Sequence, residues 1–346
     1  MTVELQAERV SLKLAAPLHT SYGTLAEREL IMVSLTGNDG VTGHGEAAPL
    51  QAYDGVSVKR TLRALERYRA ALADVADPGA PGSLLEACRN ADPLPQALAA
   101  VDLALWDRAG RREDRPVCAL LVDDPAGAVQ VNATLVATDR AGAAREAARA
   151  VAQGFRCLKL KVGIGDDAGR VAAVRAAAGQ EVALRLDANG AWDVEQAVSA
   201  INALSPAGLE LVEEPTHGLA GVRKVREQVP VRIAIDESAA EAGALTSGVA
   251  DAVCLKISRC GGISGLLAAA ALVRASGAEV YLASTYDGPI GLAGAVHAAA
   301  ALASRGPLAP SGLATLSMFA GPPDGPAAHH GEVAVPSTPG LGVDPL

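Results

Sequence analysis

The chain has 346 residues, a formal net charge of −9, half of its residues hydrophobic and only 3% aromatic. That length supports one large domain and a smaller one without disulfide or metal staples, and the acidic balance argues against nucleic acid or an anionic membrane surface as the main partner. No run reaches the roughly 18 uninterrupted apolar residues of a membrane span, and MTVELQAERV lacks the basic-then-apolar start of a secretory signal.

Taken in chain order, residues 1–125 read as an α+β capping domain. VELQAERVSLKL and LIMVSLTGNDGVTGHGEAA have the character of antiparallel strands joined by an NDG turn, while SVKRTLRALERYRAALADV and PQALAAVDLALWDRAGR have helical apolar spacing. From 126 to 320 a short apolar strand, a loop and an Ala-rich helix alternate. The predicted strands are VQVNATLV (129–136), CLKLKV (157–162), VALRLDAN (182–189), LELVEEP (209–215), RIAIDES (232–238), AVCLKIS (252–258) and EVYLAS (279–284). An eighth, near Leu308 to Leu313, is interrupted by Pro310 and Gly312. Such regular alternation reads as a parallel α/β barrel of the TIM type rather than an open sheet. No GxGxxG opens the first unit, as a dinucleotide fold would require. Residues 321–346 are rich in Pro and Gly, and VAVP is expected to return as a short strand to the cap.

Charged residues fall where a barrel keeps its chemistry, at the C-terminal ends of the strands. Lys159 and Lys161 alternate with Leu158, Leu160 and Val162, so the two ammonium groups share one strand face. Asp187 ends the third predicted strand, Glu213 and Glu214 the fourth, Asp236 and Glu237 the fifth, and Lys256 lies late in the sixth. Eight strands in sequence order place the second opposite the sixth, with two lysines facing each other across a wall of carboxylates. Converging carboxylates repel unless a cation joins them, and oxygen donors suit a hard ion. Asp187, Glu213 and Asp236 are therefore the expected ligands of Mg²⁺, or of Mn²⁺ in its place. A metal gripping a substrate carboxylate would offset the charge that develops when the adjacent carbon loses a proton, with lysines on either side to take or return that proton. A lysine acting as base must be neutral, and Lys159 beside Lys161 is the cation that would lower its pKa.

LKLKVG, LRLDANGAW, LVEEP, AIDES and CLKISRCGG, in this order and spacing, resemble the enolase superfamily, specifically its muconate-lactonizing-enzyme subgroup. VDLALWDRAGR and GEAAPLQAYDG resemble its capping domain, so the likeness covers nearly the whole chain. The resemblance implies a modified (β/α)7β barrel under an N-terminal cap, with Lys161 and Lys256 as the acid/base pair, Lys159 as electrostatic helper, Asp187, Glu213 and Asp236 on Mg²⁺, and Asn189 and Glu237 behind them. A lysine at 256 disfavours the mandelate racemase branch, which has His and Asp there. ASTYDGPIG resembles the subgroup's loop after strand seven, with Asp287 in the acidic position and Ser284 and Thr285 as candidate substrate contacts. LHTSYGT (18–24), containing Ser21, and the loop from Ala48 to Tyr53 would close over a small carboxylate substrate.

Subgroup members cyclise muconates, dehydrate to o-succinylbenzoate, epimerise dipeptides or racemise N-acylamino acids. Dipeptide epimerases typically carry Asp-x-Asp after strand eight, and muconate-lactonizing enzymes a Glu, whereas APSGLATLSMF has no acid. The expectation is dehydration or cycloisomerisation, with racemisation or epimerisation as the alternative. A Schiff-base aldolase using Lys161 or Lys256 and a non-catalytic binding protein on an old enzyme scaffold are the rival classes. Relatives are often homo-oligomers, but nothing in the sequence identifies an interface. Five cysteines without a CxxC pair are expected to be reduced core thiols of a cytoplasmic protein. The six histidines show no ligand spacing, and His297 in AGAVHAAAAL is expected to pack as a helix residue.

Overall fold

In the computed structural model, which describes residues 3–20, 23–73, 75, 81–321 and 323–346, an N-terminal antiparallel sheet has the order β1 (Glu4–Thr20), β2 (Gly23–Thr36), β3 (Thr42–Ala47). The GNDGV turn joins β2 to β3, with Gly37 N–H donating to the Val41 carbonyl at 3.1 Å. Alternation along β2 divides two cores. Ile31, Val33 and Leu35 pack with the helices Val58–Ala73 and Pro95–Glu113, whereas Met32 joins the main cluster of the barrel. The long helix lies directly on β3. A Cβ at Gly43 or Gly45 would come within 2.0 Å of the Ala104 carbonyl or 1.8 Å of the Ala100 carbonyl, so only glycine allows that approach.

The second sheet holds seven parallel strands in the order of the chain: β5 (Ala133–Leu135), β6 (Cys157–Lys161), β7 (Ala183–Asp187), β8 (Leu209–Glu213), β9 (Arg232–Ile235), β10 (Ala252–Leu255) and β11 (Glu279–Leu282). It curls until its edges meet across the eighth position. There Ser311 bridges to Val131 and Gly312 to Ala283, so an irregular segment broken by Pro310 closes the ring with single bridges instead of a ladder. Outward residues such as Leu158, Leu160, Leu186, Val212, Ile235 and Leu255 pack under the helices. Inward ones form a small interior cluster of Leu211, Ala234, Ala252, Cys254 and Tyr281.

Two segments depart from the sequence reading. The predicted strand 129–136 is two strands, because β4 (Ala128–Gln130) pairs outside the barrel while β5 begins its sheet. The partner of β4 is β13 (Glu332–Ala334), formed by the VAVP segment, which also pairs with β12 (Ala328–His329). That strand adds to β4 rather than to the N-terminal sheet. The chain end does reach the long helix, where Leu341 N–H donates to Asp107 at 2.7 Å, and Gly340 bridges to Pro116 just beyond it.

His297, fully buried in the helix Pro289–Ser304, ties this end down. Its Nδ1 accepts the Cys118 N–H at 3.1 Å, which leaves the proton on Nε2 to donate to the Leu341 carbonyl at 3.1 Å. Burial pushes its pKa down from 6.5 to about 4. Below 6.5 the unfolded chain binds a proton that the folded imidazole refuses, so this stabilisation is complete above 6.5 and is lost as pH falls toward 4. We predict a loss of up to about 3 kcal/mol across that window. Urea titrations at stepped pH should show it, and His297→Gln should flatten the dependence.

Candidate active site

Strand register builds the site. Lys161 pairs with Asp187 and Asp187 with Glu213, which sets three charged side chains side by side at the C-terminal ends of β6, β7 and β8. Asp236 follows β9 and Lys256 follows β10. Lys159 Nζ lies 2.8 Å from Asp187 and 2.7 Å from both Glu213 oxygens. Lys161 Nζ donates to Asp187 Oδ2 at 2.6 Å and to Asn189 Oδ1 at 2.7 Å, and Asn189 Nδ2 donates to Glu237 Oε1 at 3.0 Å. Across the ring the Lys256 ammonium contacts both Asp236 oxygens. Lys161 and Lys256 line one cavity of about 360 Å³.

Burial alone would raise the pKa of Asp187, but Lys159 and Lys161 outweigh it and hold the group well below the usual carboxylate range. Asp236 is likewise lowered, burial being overcome by Lys256. Glu213 goes the other way, raised by burial and by the Asp187 charge. Burial disfavours the ammonium of Lys256, yet Asp236 carries its pKa well above 10.5. Glu214 points away from the centre. Its carboxylate accepts the Asp236 and Ser238 N–H groups at 2.8 and 3.1 Å and shapes the loop after β9, while burial pushes its pKa to about 8.

The donor set fits a hard divalent cation. Glu213, Asp236 and Cys254 each place one ligand atom within 4.8 Å of the others, and Asp187 meets Glu213 around the same ammonium. Burial keeps the Cys254 thiol protonated, with its pKa well above 9. The hard donors are therefore the carboxylates of Asp187, Glu213 and Asp236.

Some of the expected groups line the cavity and others do not. Tyr53, on the cap helix Gln51–Asp54, reaches over the barrel, its hydroxyl 2.7 Å from Asp236 Oδ1 and 3.0 Å from Lys256 Nζ. Ser284 and Thr285 line the cavity, whereas Asp287 is not among the described lining residues. The Asp287 carboxylate turns back to accept from the Thr285 N–H and Oγ1 at 3.1 and 2.8 Å, holding its own loop. Ser21 lies outside the described residues.

Three further residues were not anticipated. Arg259, one turn beyond Lys256, donates to the Tyr53 hydroxyl at 2.7 Å and to the Glu237 carbonyl at 3.2 Å. Tyr281 projects inward from β11 and donates to Glu213 Oε2 at 2.7 Å. Beneath it Arg185 stacks on the Tyr281 ring at 5.0 Å and grips Glu210 bidentately at 2.7 and 3.1 Å. The β7–β8 register slips at this point, and the slip lets Glu210 turn into the barrel. Alternation in EVYLAS signals Tyr281, since it shares a face with Ala283. Nothing in the sequence signals the slip.

This fold and site define an enzyme of the enolase superfamily. Residues 142–346 match the family described as "Enolase C-terminal domain-like" and residues 2–122 the "Mandelate racemase / muconate lactonizing enzyme, N-terminal domain", and the chain belongs to that family. A hydrophobic dipeptide epimerase of Enterococcus faecalis is 32% identical over 311 residues, which cover 86% of each chain. Muconate cycloisomerase 1 of Rhodococcus opacus is 30% identical over 314 residues, covering 86% of this chain and 84% of its own. The solved structure of the Enterococcus faecalis V583 dipeptide epimerase, complexed with Mg and L-Leu-L-Tyr, matches with a TM-score of 0.90 at 28% identity over 99% of both chains. No helix among the described residues is long and apolar enough to cross a membrane.

Tyr281→Phe tests how Glu213 is held. Removing one buried donor to a charged acceptor should cost about 1–2 kcal/mol, read as a lower urea midpoint at neutral pH. An unchanged midpoint would show that the hydroxyl contributes nothing.

Proposed function

We propose that the chain is a Mg²⁺-dependent racemase or epimerase that inverts the α-carbon of an N-acylated amino acid, a class that includes the C-terminal residue of a dipeptide. The observation that carries this reading is the opposed pair of lysines. Lys161 and Lys256 stand across one cavity, separated around the ring by β7, β8 and β9, and each is oriented by a different carboxylate. A substrate carbon held between them presents one face to each. One lysine, in its neutral form, takes the α-proton; the electron pair left on carbon delocalises onto the substrate carboxylate; the other lysine, as ammonium, delivers a proton to the opposite face. The reverse reaction exchanges the two roles. Mg²⁺, held by Asp187, Glu213 and Asp236, supplies positive charge beside the substrate carboxylate when bound.

Two of the compared proteins bear on the choice. The epimerase resemblance and the bound L-Leu-L-Tyr of its structure support stereochemical inversion next to an amide. The cavity wall at Gly312, Ala314, Thr315, Ser317 and Met318 contributes no acid. Glu146 also lines the cavity, but its Oε2 accepts the Val136 and Ala137 N–H groups at 2.8 and 3.0 Å. Recognition of the acyl group therefore rests on shape and amide contacts more than on an ammonium–carboxylate pair. The same acid-free wall, with the muconate cycloisomerase resemblance, sustains a second reading in which the same proton abstraction leads to dehydration or cycloisomerisation.

Proton NMR in D₂O with Mg²⁺, against N-acylamino acids, dipeptides, muconates and the o-succinylbenzoate precursor, separates these outcomes. We expect an α-proton signal to vanish without a new product, and a chelator to stop it. Lys161→Ala and Lys256→Ala should each lower exchange by about 10²–10⁴-fold, each for the enantiomer whose α-proton faces it. A lactone or dehydrated product would favour the second reading, and borohydride trapping of a lysine adduct would favour an aldolase.

A further inference from the structure

Arg28 lies in β2 of the cap, yet it is 2% exposed and directs its donors to four backbone carbonyls. Nη1 donates to Pro49 at 2.9 Å and Nη2 to Ala48 at 3.1 Å. Nε is shared between Thr285 at 3.2 Å and Tyr286 at 3.3 Å. The first pair leads into the cap segment that carries Leu50, Ala52 and Tyr53, and the second belongs to the loop after β11. Both segments line the substrate cavity, on opposite sides of the cap–barrel boundary. We propose that Arg28 is a positioning residue for the reaction: its guanidinium fastens the cap wall of the cavity to the barrel wall, so that Tyr53 and the Ser284–Thr285 loop adopt their places together.

Three features support this. Tyr286 has φ +58°, a conformation that a non-glycine residue keeps only where its surroundings impose it, and Arg28 holds its carbonyl. Glu46, on the neighbouring strand β3, grips the next stretch of the same loop, accepting the Gly288 and Gly291 N–H groups at 2.7 and 3.2 Å at the start of the helix Pro289–Ser304. The cap thus presents one cation and one carboxylate to a single barrel segment, one taking its carbonyls and the other its amides. Finally, Tyr53 is placed against both Asp236 and Lys256, so a displacement of the cap wall is felt at a proton-transfer lysine. The guanidinium spreads its donors over four carbonyls, whereas an ammonium offers three donors from one point, so lysine is not an equivalent.

The kinetic part of this inference rests on the proposed proton transfer; the mechanical part does not. In the wild type, native-state amide exchange should show Tyr53 and Asp54, whose N–H groups bond the Leu50 carbonyl, opening with the same free energy as Asp287, whose N–H bonds Ser284 Oγ. Arg28→Lys keeps the charge opposite Glu46 and Asp287 but should accelerate exchange at both loops together. On whichever substrate the NMR screen identifies, it should lower kcat about tenfold, and Tyr53→Phe added to it should cost less than Tyr53→Phe alone. Independent opening of the two loops in the wild type overturns the fastening. Coupled opening with unchanged kcat, or with strictly additive effects of the two substitutions, overturns the positioning role. A wild type that exchanges no substrate proton defeats the proposed function while the exchange data still judge Arg28.

Discussion

Everything near the cavity depends on balancing charge among buried side chains. Asp187, Glu213 and Asp236 are buried, and each sits against an ammonium group. Isolated, any one of them would carry a desolvation penalty that coulombic attraction only partly repays; together they form a lattice in which removing one member exposes the rest. The parallel register supplies this lattice at no conformational cost, because neighbouring strands deliver Lys161, Asp187 and Glu213 at one height. The layer beneath, with Arg185 bidentate on Glu210 and stacked on Tyr281, continues the alternation of charges toward the floor of the barrel. Asp187, Glu213 and Asp236 would hold a divalent ion in this lattice, and its positive charge would take over part of the balancing that the ammonium groups provide.

The site was legible in the sequence because two simple periodicities coincide. Side chains alternate along a strand, and charges cluster at strand ends only where the ends converge. Lys159, Lys161, Asp187, Glu213, Asp236 and Lys256 obey both rules, and their geometry follows from them. Residues that break a periodicity were illegible: Glu210 faces inward only through the register slip after Leu184, and β4 and β5 divide because neighbouring amides find partners on different segments, Val131 on Gly331 and Asn132 on Ser311. Asp287 shows the limit of position as a guide. It sits in the loop expected to touch substrate, but its carboxylate is consumed by the turn it stabilises. Long-range partners such as Tyr53 with Arg259, or Arg28 with Thr285, join residues more than two hundred apart in the chain, a relation that local pattern does not encode.

Strain marks the same neighbourhood. Asn189, Glu214 and Tyr286 are non-glycine residues at φ +44°, +40° and +58°, and each lies just past the end of a barrel strand. Each is held by the network it serves: Asn189 by Lys161 and Glu237, Glu214 by the loop after β9, Tyr286 by the cap. Such conformations cost on the order of 1–3 kcal/mol apiece, and the buried hydrogen bonds around them offset it. The stability of the barrel is in this sense invested at its rim.

The ring closes through Ser311 and Gly312 by single bridges, and the chain beyond them, at Ala314 to Met318, walls the cavity. This seam and the ladder are held in different ways. The ladder from β5 to β11 carries the lysines and carboxylates, whereas the seam is held by separate hydrogen bonds such as Asn132 N–H to the Ser311 carbonyl and Gly312 N–H to the Leu282 carbonyl. Side chains on this one short segment therefore shape the cavity without belonging to the strands that carry the lysines and carboxylates.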